Sequence, residues 1–287
     1  MKQILVISGK GGTGKTVITA SLASLFENKI IADCDVDAAD LHLLLHPRIK
    51  QRHQFSGLAK AWIDPARCTG CGECVKVCRF GAISQKFEVD PISCEGCRVC
   101  MFKCPVNAII MKENRAGEYY ISETQYGIMV HAKLGIAEEN SGRLVSTVRQ
   151  KAKEYAEKNK ADYIIIDGPP GIGCPVIASL AGVDLAVVVM EPSLSGIQDA
   201  QRVSDVAKHF GIRVACVINK YDINLENTEL IENWCRENNL PLLGKFLFDP
   251  LVSESIVQGR PLVEYCDNDV ARQVKEFAVN LKRFLSF

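Results

Sequence analysis

Several features are missing from this sequence. It has no charge excess: 34 Lys and Arg stand against 34 Asp and Glu over 287 residues. A nucleic-acid surface would show a basic excess or stripe, so no nucleic-acid partner is expected. It has no long hydrophobic run. Leu185 to Met190 is among the longest, far short of the ~20 residues that a spanning helix needs. No charged leader with a cleavage site follows Met1, and the chain goes directly into a strand-like stretch, Gln3 to Ser8. No signal peptide is therefore expected, and the protein is placed in the cytoplasm. Hydrophobic content of 47% and charged content of 24% are those of an ordinary globular chain.

Cysteine, by contrast, is abundant. There are 13, and eight lie between Cys68 and Cys104. In a secreted chain this density would suggest disulfides. Without a leader, metal binding in a reducing compartment is the better reading.

The chain opens as strand, glycine loop and helix: Ile4 to Ile7, then Ser8 to Gly14, then Val17 to Phe26 with Ile18, Leu22 and Leu25 on one face. A second strand, Lys29 to Ala32, leads to Asp33 and Asp35. Further strands are expected at Glu118 to Ser122, Tyr126 to Val130, Tyr163 to Ile166, Leu185 to Met190 and Val214 to Ile218. Helices are expected at Gly142 to Lys158, Gln198 to Phe210 and Thr228 to Asn238. Continuous apolar strands separated by helices imply an α/β fold with a mostly parallel sheet covered on both faces. The cysteine-rich stretch interrupts this rhythm. The expected division is 1–60 and 112–287 for a P-loop nucleotide domain, with a small α+β ferredoxin-like domain inserted at 61–111.

Gly9-Lys10-Gly11-Gly12-Thr13-Gly14-Lys15-Thr16 fits G-x-x-x-x-G-K-[ST] between a strand and a helix. In that motif backbone N–H groups wrap the phosphates, Lys15 reaches the β and γ oxygens, and the Thr16 hydroxyl joins the Mg²⁺ shell. The spelling KGGTGKT, with a lysine at position 10, resembles the deviant loop of the MinD, ParA, Mrp and nitrogenase iron-protein group. That resemblance implies an ATPase in which Lys10 crosses a dimer interface to the partner's nucleotide. It assigns Asp35, in Asp33-Cys34-Asp35, to the attacking water and the metal shell. Asp167, in Asp167-Gly168-Pro169-Pro170-Gly171, would hold Mg²⁺ through water, and the Gly171 N–H would sense the γ-phosphate. Asn219 would read adenine. Asn219-Lys220-Tyr221-Asp222 also resembles the guanine motif N-K-x-D, and the deviant loop favours adenine. Lys10, Lys15, Asp35 and Asp167 are the candidate catalytic residues.

Cys68 to Ile83 and Cys94 to Ile109 are an internal repeat with a period of 26 residues. Each carries C-x2-C-x2-C-x3-C, and Cys104 is followed by Pro105. In two-cluster ferredoxins the fourth cysteine of each run serves the other cluster. The expected sets are Cys68, Cys71, Cys74 and Cys104 for one [4Fe–4S], and Cys78, Cys94, Cys97 and Cys100 for the second. Zinc sites use pairs of cysteines separated by a longer loop, which this spacing does not supply. The stretch resembles a bacterial-type ferredoxin, and the whole chain resembles MinD/Mrp-superfamily ATPases that carry one.

The resemblance implies ATP/ADP, Mg²⁺ and two clusters as cofactors. As partners it implies an ATP-dependent homodimer, or a heterodimer with a related ATPase, and a redox protein of unknown identity. It yields a leading function, nucleotide-driven switching coupled to low-potential electron transfer. An iron–sulfur carrier of Mrp type and a MinD/ParA-like spatial organiser with redox-sensing clusters are the alternatives. Cys174 lies where the nitrogenase iron protein holds a bridging cluster, but the matching upstream position is Asn140, so a packed or accessory thiol is expected. The five histidines are read as structural. The apolar face Val270, Val274, Phe277, Leu281 and Phe284 of the last helix is read as docking on the core, with a membrane surface as the alternative.

Overall fold

The computed structural model describes residues 1–135 and 141–286. In chain order the elements are β1 (Lys2–Ser8), α1 (Lys15–Leu25), β2 (Lys29–Asp33), α2 (Leu41–Leu45), β3 (Arg48–Ser56), β4 (Lys60–Ile63), α3 (Glu73–Val77), α4 (Val99–Lys103), β5 (Ile109–Lys112), β6 (Arg115–Thr124) and β7 (Gly127–Leu134). They continue as α5 (Ser141–Lys158), β8 (Tyr163–Pro170), α6 (Cys174–Leu180), β9 (Leu185–Met190), α7 (Leu194–His209), β10 (Arg213–Asn219), α8 (Leu225–Glu237), β11 (Leu242–Phe246), α9 (Pro250–Val257), α10 (Leu262–Tyr265) and α11 (Asp269–Leu285). Residues 1–52, 119–133 and 141–287 form one compact unit; residues 53–118, with the stretch from Leu134, form another.

The first unit is built on a sheet whose strand order is β11-β10-β9-β1-β8-β2-β7-β6-β3. From β11 to β7 every pairing is parallel. The middle strands are wholly buried runs such as Ile4 to Ile7, Ile164 to Ile166 and Leu185 to Val188, which only a sheet covered on both faces can accommodate. One covering layer comes from α1, α10 and α11 through Val17, Ile18, Leu22, Leu262, Val270, Val274, Phe277 and Leu281. Burying a side chain such as Phe277 (0% exposed) contributes about 2–3 kcal/mol. The apolar face of α11 is thus consumed in the core, and Lys282 at its end donates to the Leu25 carbonyl at 2.9 Å. Among the described residues no helix is long and apolar enough to cross a membrane.

Boundaries differ from expectation where long-range pairing decides them. The strand expected to stop at Ile166 continues to Pro170, because Ser8 pairs with Pro170 at the end of β1. The helix expected at Gln198 begins at Leu194, because the Ser193 hydroxyl accepts the Gly196 N–H and caps it. Strand β3, KQRH-rich and almost entirely exposed, has no apolar period to betray it.

His131 on β7 is buried, and its ring shares a 2.8 Å hydrogen bond with Ser122. Burial, with a smaller contribution from the charge of His42, lowers its pKa to about 4. The unfolded chain, with His near 6.5, then binds more protons than the folded one between about pH 4 and 6.5. Stability from this site is therefore full above that window and is lost as pH falls through it, by about 2 kcal/mol at pH 5. Urea unfolding of wild type and His131→Gln at pH 5 and 7.5 checks this: the variant should lose less stability on acidification. An equal loss in both would assign the acid sensitivity elsewhere.

In the second unit β4 and β5 pair antiparallel, Lys60 opposite Lys112 and Ile63 opposite Ile109. The short helices α3 and α4 each start just before the third cysteine of a run. Cys74, Cys94 and Cys100 are buried in its core with Ala61, Ile63, Ala82, Ile83 and Ile109.

Candidate functional site

In the first unit the candidate residues meet where β1, β2 and β8 end, the edge at which open parallel sheets bind ligands. The loop after β1 turns into α1 at Gly14, whose φ of 90° suits glycine. A Cβ there would come within 2.4 Å of the Asn219 amide nitrogen. That amide donates to the Thr13 carbonyl at 2.9 Å, so Asn219 braces the phosphate loop.

Lys15 is 5% exposed, with its ammonium 3.7 Å from Asp35 Oδ2. The Thr16 hydroxyl donates to Asp167 Oδ2 at 2.8 Å. Asp33 and Asp167 are register partners on β2 and β8. Strand pairing therefore brings together carboxylates more than a hundred residues apart. Asp35 and Asp167 share one buried lysine, and Asp33 lies beside both carboxylates. Burial raises the Asp167 pKa to about 6, against the opposing pull of Lys15. Burial, then the charges of Asp167 and Asp35, push Asp33 well above the usual range. Asp35 is raised by burial and restrained by Lys15.

Asp33 Oδ2 and Thr13 Oγ1 are buried without a hydrogen-bond partner. Such atoms are costly unless a ligand or water completes them. The donors here, a threonine hydroxyl and carboxylates, are the oxygen set that suits Mg²⁺.

Thr19 was not foreseen from the sequence. It lies one turn beyond Lys15, and its hydroxyl is within 3.0 Å of Asp167 Oδ1. Only its helical spacing from Lys15 could have pointed to it. Lys10 bonds within its own chain, 2.5 Å from Glu191 Oε1 and 3.0 Å from the Ser193 hydroxyl. The Gly171 N–H donates to the Ser8 carbonyl at 3.0 Å, so sensing a phosphate would require that bond to open. Gly9, Gly11 and Gly12 lie in the same loop.

In the second unit the eight cysteines divide between two cavities. One is lined by Cys68, Cys71, Cys74 and Cys104, with Ile63, Phe87 and Ile109. The other is lined by Cys78, Cys94, Cys97 and Cys100, with Ala61 and Met111. Each holds three cysteines of one run and the fourth of the other. Backbone N–H groups point at two of the sulfurs: Ala108 to Cys104 at 3.2 Å and Ala61 to Cys94 at 3.5 Å. Burial raises the Cys74 and Cys100 thiols. Among the described residues no three His, Cys, Asp or Glu converge closely enough to hold a single metal ion.

Of the other cysteines, Cys34, Cys216 and Cys235 are buried. Cys174 is exposed at the start of α6, and its proposed counterpart Asn140 lies outside the described residues. The His46 Nε2–H donates to the Gly259 carbonyl at 2.6 Å.

The CobQ/CobB/MinD/ParA nucleotide binding domain model matches residues 4–262. The chain belongs to this family. Within it, an uncharacterized protein of Methanocaldococcus jannaschii is 37% identical, covering 99% of this chain and 97% of that protein. A cytosolic Fe-S cluster assembly factor of Xenopus laevis, nubp2, is 22% identical over 93% of this chain and 87% of its own length. Among solved structures, the septum site-determining protein MinD of Pyrococcus horikoshii, complexed with Mg-ADP, has the same fold. Its TM-score is 0.62 at 20% identity, covering 99% of this chain and 97% of MinD. The family membership makes the loop at Gly9 to Thr16 part of a nucleotide-binding domain.

Proposed function

We propose that this family member hydrolyses ATP and couples the resulting switch changes to electron transfer through two [4Fe–4S] clusters. The observation that carries the reading is the sorting of eight cysteines into two crossed quartets, each around its own cavity. A single tetrahedral zinc with Zn–S near 2.3 Å would draw its sulfurs to within ~4 Å of one another. A four-iron cluster instead takes four thiolates spread around it, and each crossed quartet lines a pocket of its own. The N–H groups of Ala108 and Ala61 supply the hydrogen bonds to sulfur that tune such centres. Bound there, the clusters would supply one-electron chemistry at low potential. The protein's own contribution is to supply the thiolates and fix their hydrogen bonding.

At the other site Lys15 would neutralise the β and γ phosphates, while Thr16, Asp35 and Asp167 would hold Mg²⁺ directly or through water. Asp35 would orient the attacking water. Lys10 would leave Glu191 and Ser193 and reach a second subunit's nucleotide, making the dimer ATP-dependent. Asn219 is assigned to adenine through the position it holds beside Thr13.

An anaerobic redox titration followed by EPR, with and without MgATP, tests the coupling. The expected result is a shift of about 30 mV or more in at least one cluster potential; 59 mV is a tenfold change for one electron. Identical titrations would remove the coupling from this proposal.

The similarity to nubp2 favours a second reading, a carrier that delivers clusters. It predicts transfer to an apo-ferredoxin within minutes. The first reading predicts retention, since releasing either cluster requires cysteines from both runs to let go.

A further inference from the structure

The internal repeat provides its own control. In the first run α3 opens at Gly72, whose φ is 75°. The outward positions Glu73 and Lys76 form an ion pair at 2.8 Å. This is an ordinary solvated face. Adding the 26-residue period gives the matching positions of the second run: Arg98, Val99 and Phe102. Arg98 adopts φ 64°, a conformation that glycine takes without strain and a residue with a Cβ does not. Val99 is 43% exposed and Phe102 77%.

The first run shows that the same helix can be built with glycine and a polar pair, so the fold does not call for these substitutions. Phe80, 48% exposed, joins Arg98 and Val99 in lining the cavity of the second quartet. Arg79 stands where the other run has proline, and Lys103 closes α4. Cys97, a member of this quartet, is itself exposed. Phe80 and Val99 thus line the cavity with one cation, Arg98, and one carboxylate, Glu95; Arg79 and Lys103, both exposed, adjoin Phe80 and Phe102 in the chain, and Lys103 also acts on Glu73.

We propose that this face, Arg79, Phe80, Arg98, Val99, Phe102 and Lys103, docks a partner protein: a small one-electron carrier with an acidic rim around an apolar contact. An exposed aromatic flanked by arginine is the composition of an interface centre, and the cationic rim selects the sign of the partner. The proposal rests on the reading of the second quartet as a cluster site, because only a centre beneath this face gives an electron carrier reason to seat there.

The test is a calorimetric titration of the anaerobically purified full chain with an acidic flavodoxin as probe, at low and at high salt. The variants exchange the two runs' own residues. Val99→Glu/Phe102→Lys gives the second run the first run's polar face, and Arg98→Gly removes the rim charge together with the backbone strain. Glu73→Val/Lys76→Phe, made in the first run, is the control. Expected are saturable binding by wild type, weakening by about tenfold in the double variant, a salt-dependent loss in Arg98→Gly, and no change in the control. Iron content and cluster absorption of every sample are recorded, so a chain without clusters refutes the cluster reading by its own measurement while the titration still reports on the face.

No binding by wild type, or equal binding by Val99→Glu/Phe102→Lys, overturns the proposal. So does Phe102-dependent binding to anionic phospholipid vesicles in place of flavodoxin, or a dimer that dissociates in the same variant. Those outcomes would make the face a membrane contact or a self-contact.

Discussion

Cys104→Ala should remove about half of the bound iron, and the EPR signal that disappears should be the one that Cys71→Ala also removes. Cys78→Ala should in turn match Cys97→Ala. The pairing follows from the cavities: Cys104 shares its space with Cys68, Cys71 and Cys74, and Cys78 with Cys94, Cys97 and Cys100. Each variant leaves a cavity with three thiolates where four are needed, while the other quartet keeps its full set. The Cys104 variant also loses the acceptor for the Ala108 N–H. Iron and sulfide analysis with EPR on the four variants measures the grouping. Were Cys104→Ala to group with Cys97→Ala, each run would be serving its own cluster and the crossed arrangement would be wrong.

Lys15→Ala should lower kcat for ATP hydrolysis by at least about 100-fold, the cost of removing one preorganised stabiliser of transition-state charge. The geometry makes this lysine hard to replace. It is buried, with its ammonium 3.7 Å from Asp35 and acting also on Asp167. Without it, Asp35 and Asp167 lose the main interaction that favours their charged forms. Any residual activity should therefore need a higher pH, because Asp167 must ionise to hold Mg²⁺. A pH–rate profile of both proteins, with nucleotide affinity measured separately, checks the two effects. Turnover within tenfold of wild type would place hydrolysis at another site.

The parts legible in the sequence were those written in local spacing. The loop Gly9 to Thr16, the acidic positions on β2 and β8 and the doubled cysteine run all depend on neighbours within a few residues, and a backbone that turns tightly leaves such marks. The buried strands were legible for a related reason, since a strand covered on both faces must be apolar throughout. What could not be seen was pairing across distance. That Glu191 and Ser193 would take Lys10, that Thr13 would occupy Asn219, and that Ser8 would hold the Gly171 N–H all follow from tertiary placement, which leaves no periodic trace. Strand β3 was hidden for the opposite reason: exposed on nearly every residue, it carries no hydrophobic pattern and exists because β6 pairs with it.

The chain leaves the first unit within β3 and re-enters it within β6, and these strands are neighbours in the sheet. At the junction the Arg52 guanidinium lies 5.5 Å from the centre of the Tyr120 ring. The excursion therefore begins and ends at nearly one point. Closing a loop between fixed ends costs entropy that grows only with the logarithm of its length, about 0.6 kcal/mol for each doubling. For the nucleotide-binding sheet, closing over residues 53–118 instead of a loop of about four residues thus costs only about 2.4 kcal/mol more in closure entropy. At this edge a cysteine-rich unit can be lengthened or shortened while the neighbouring strands of the sheet keep their places.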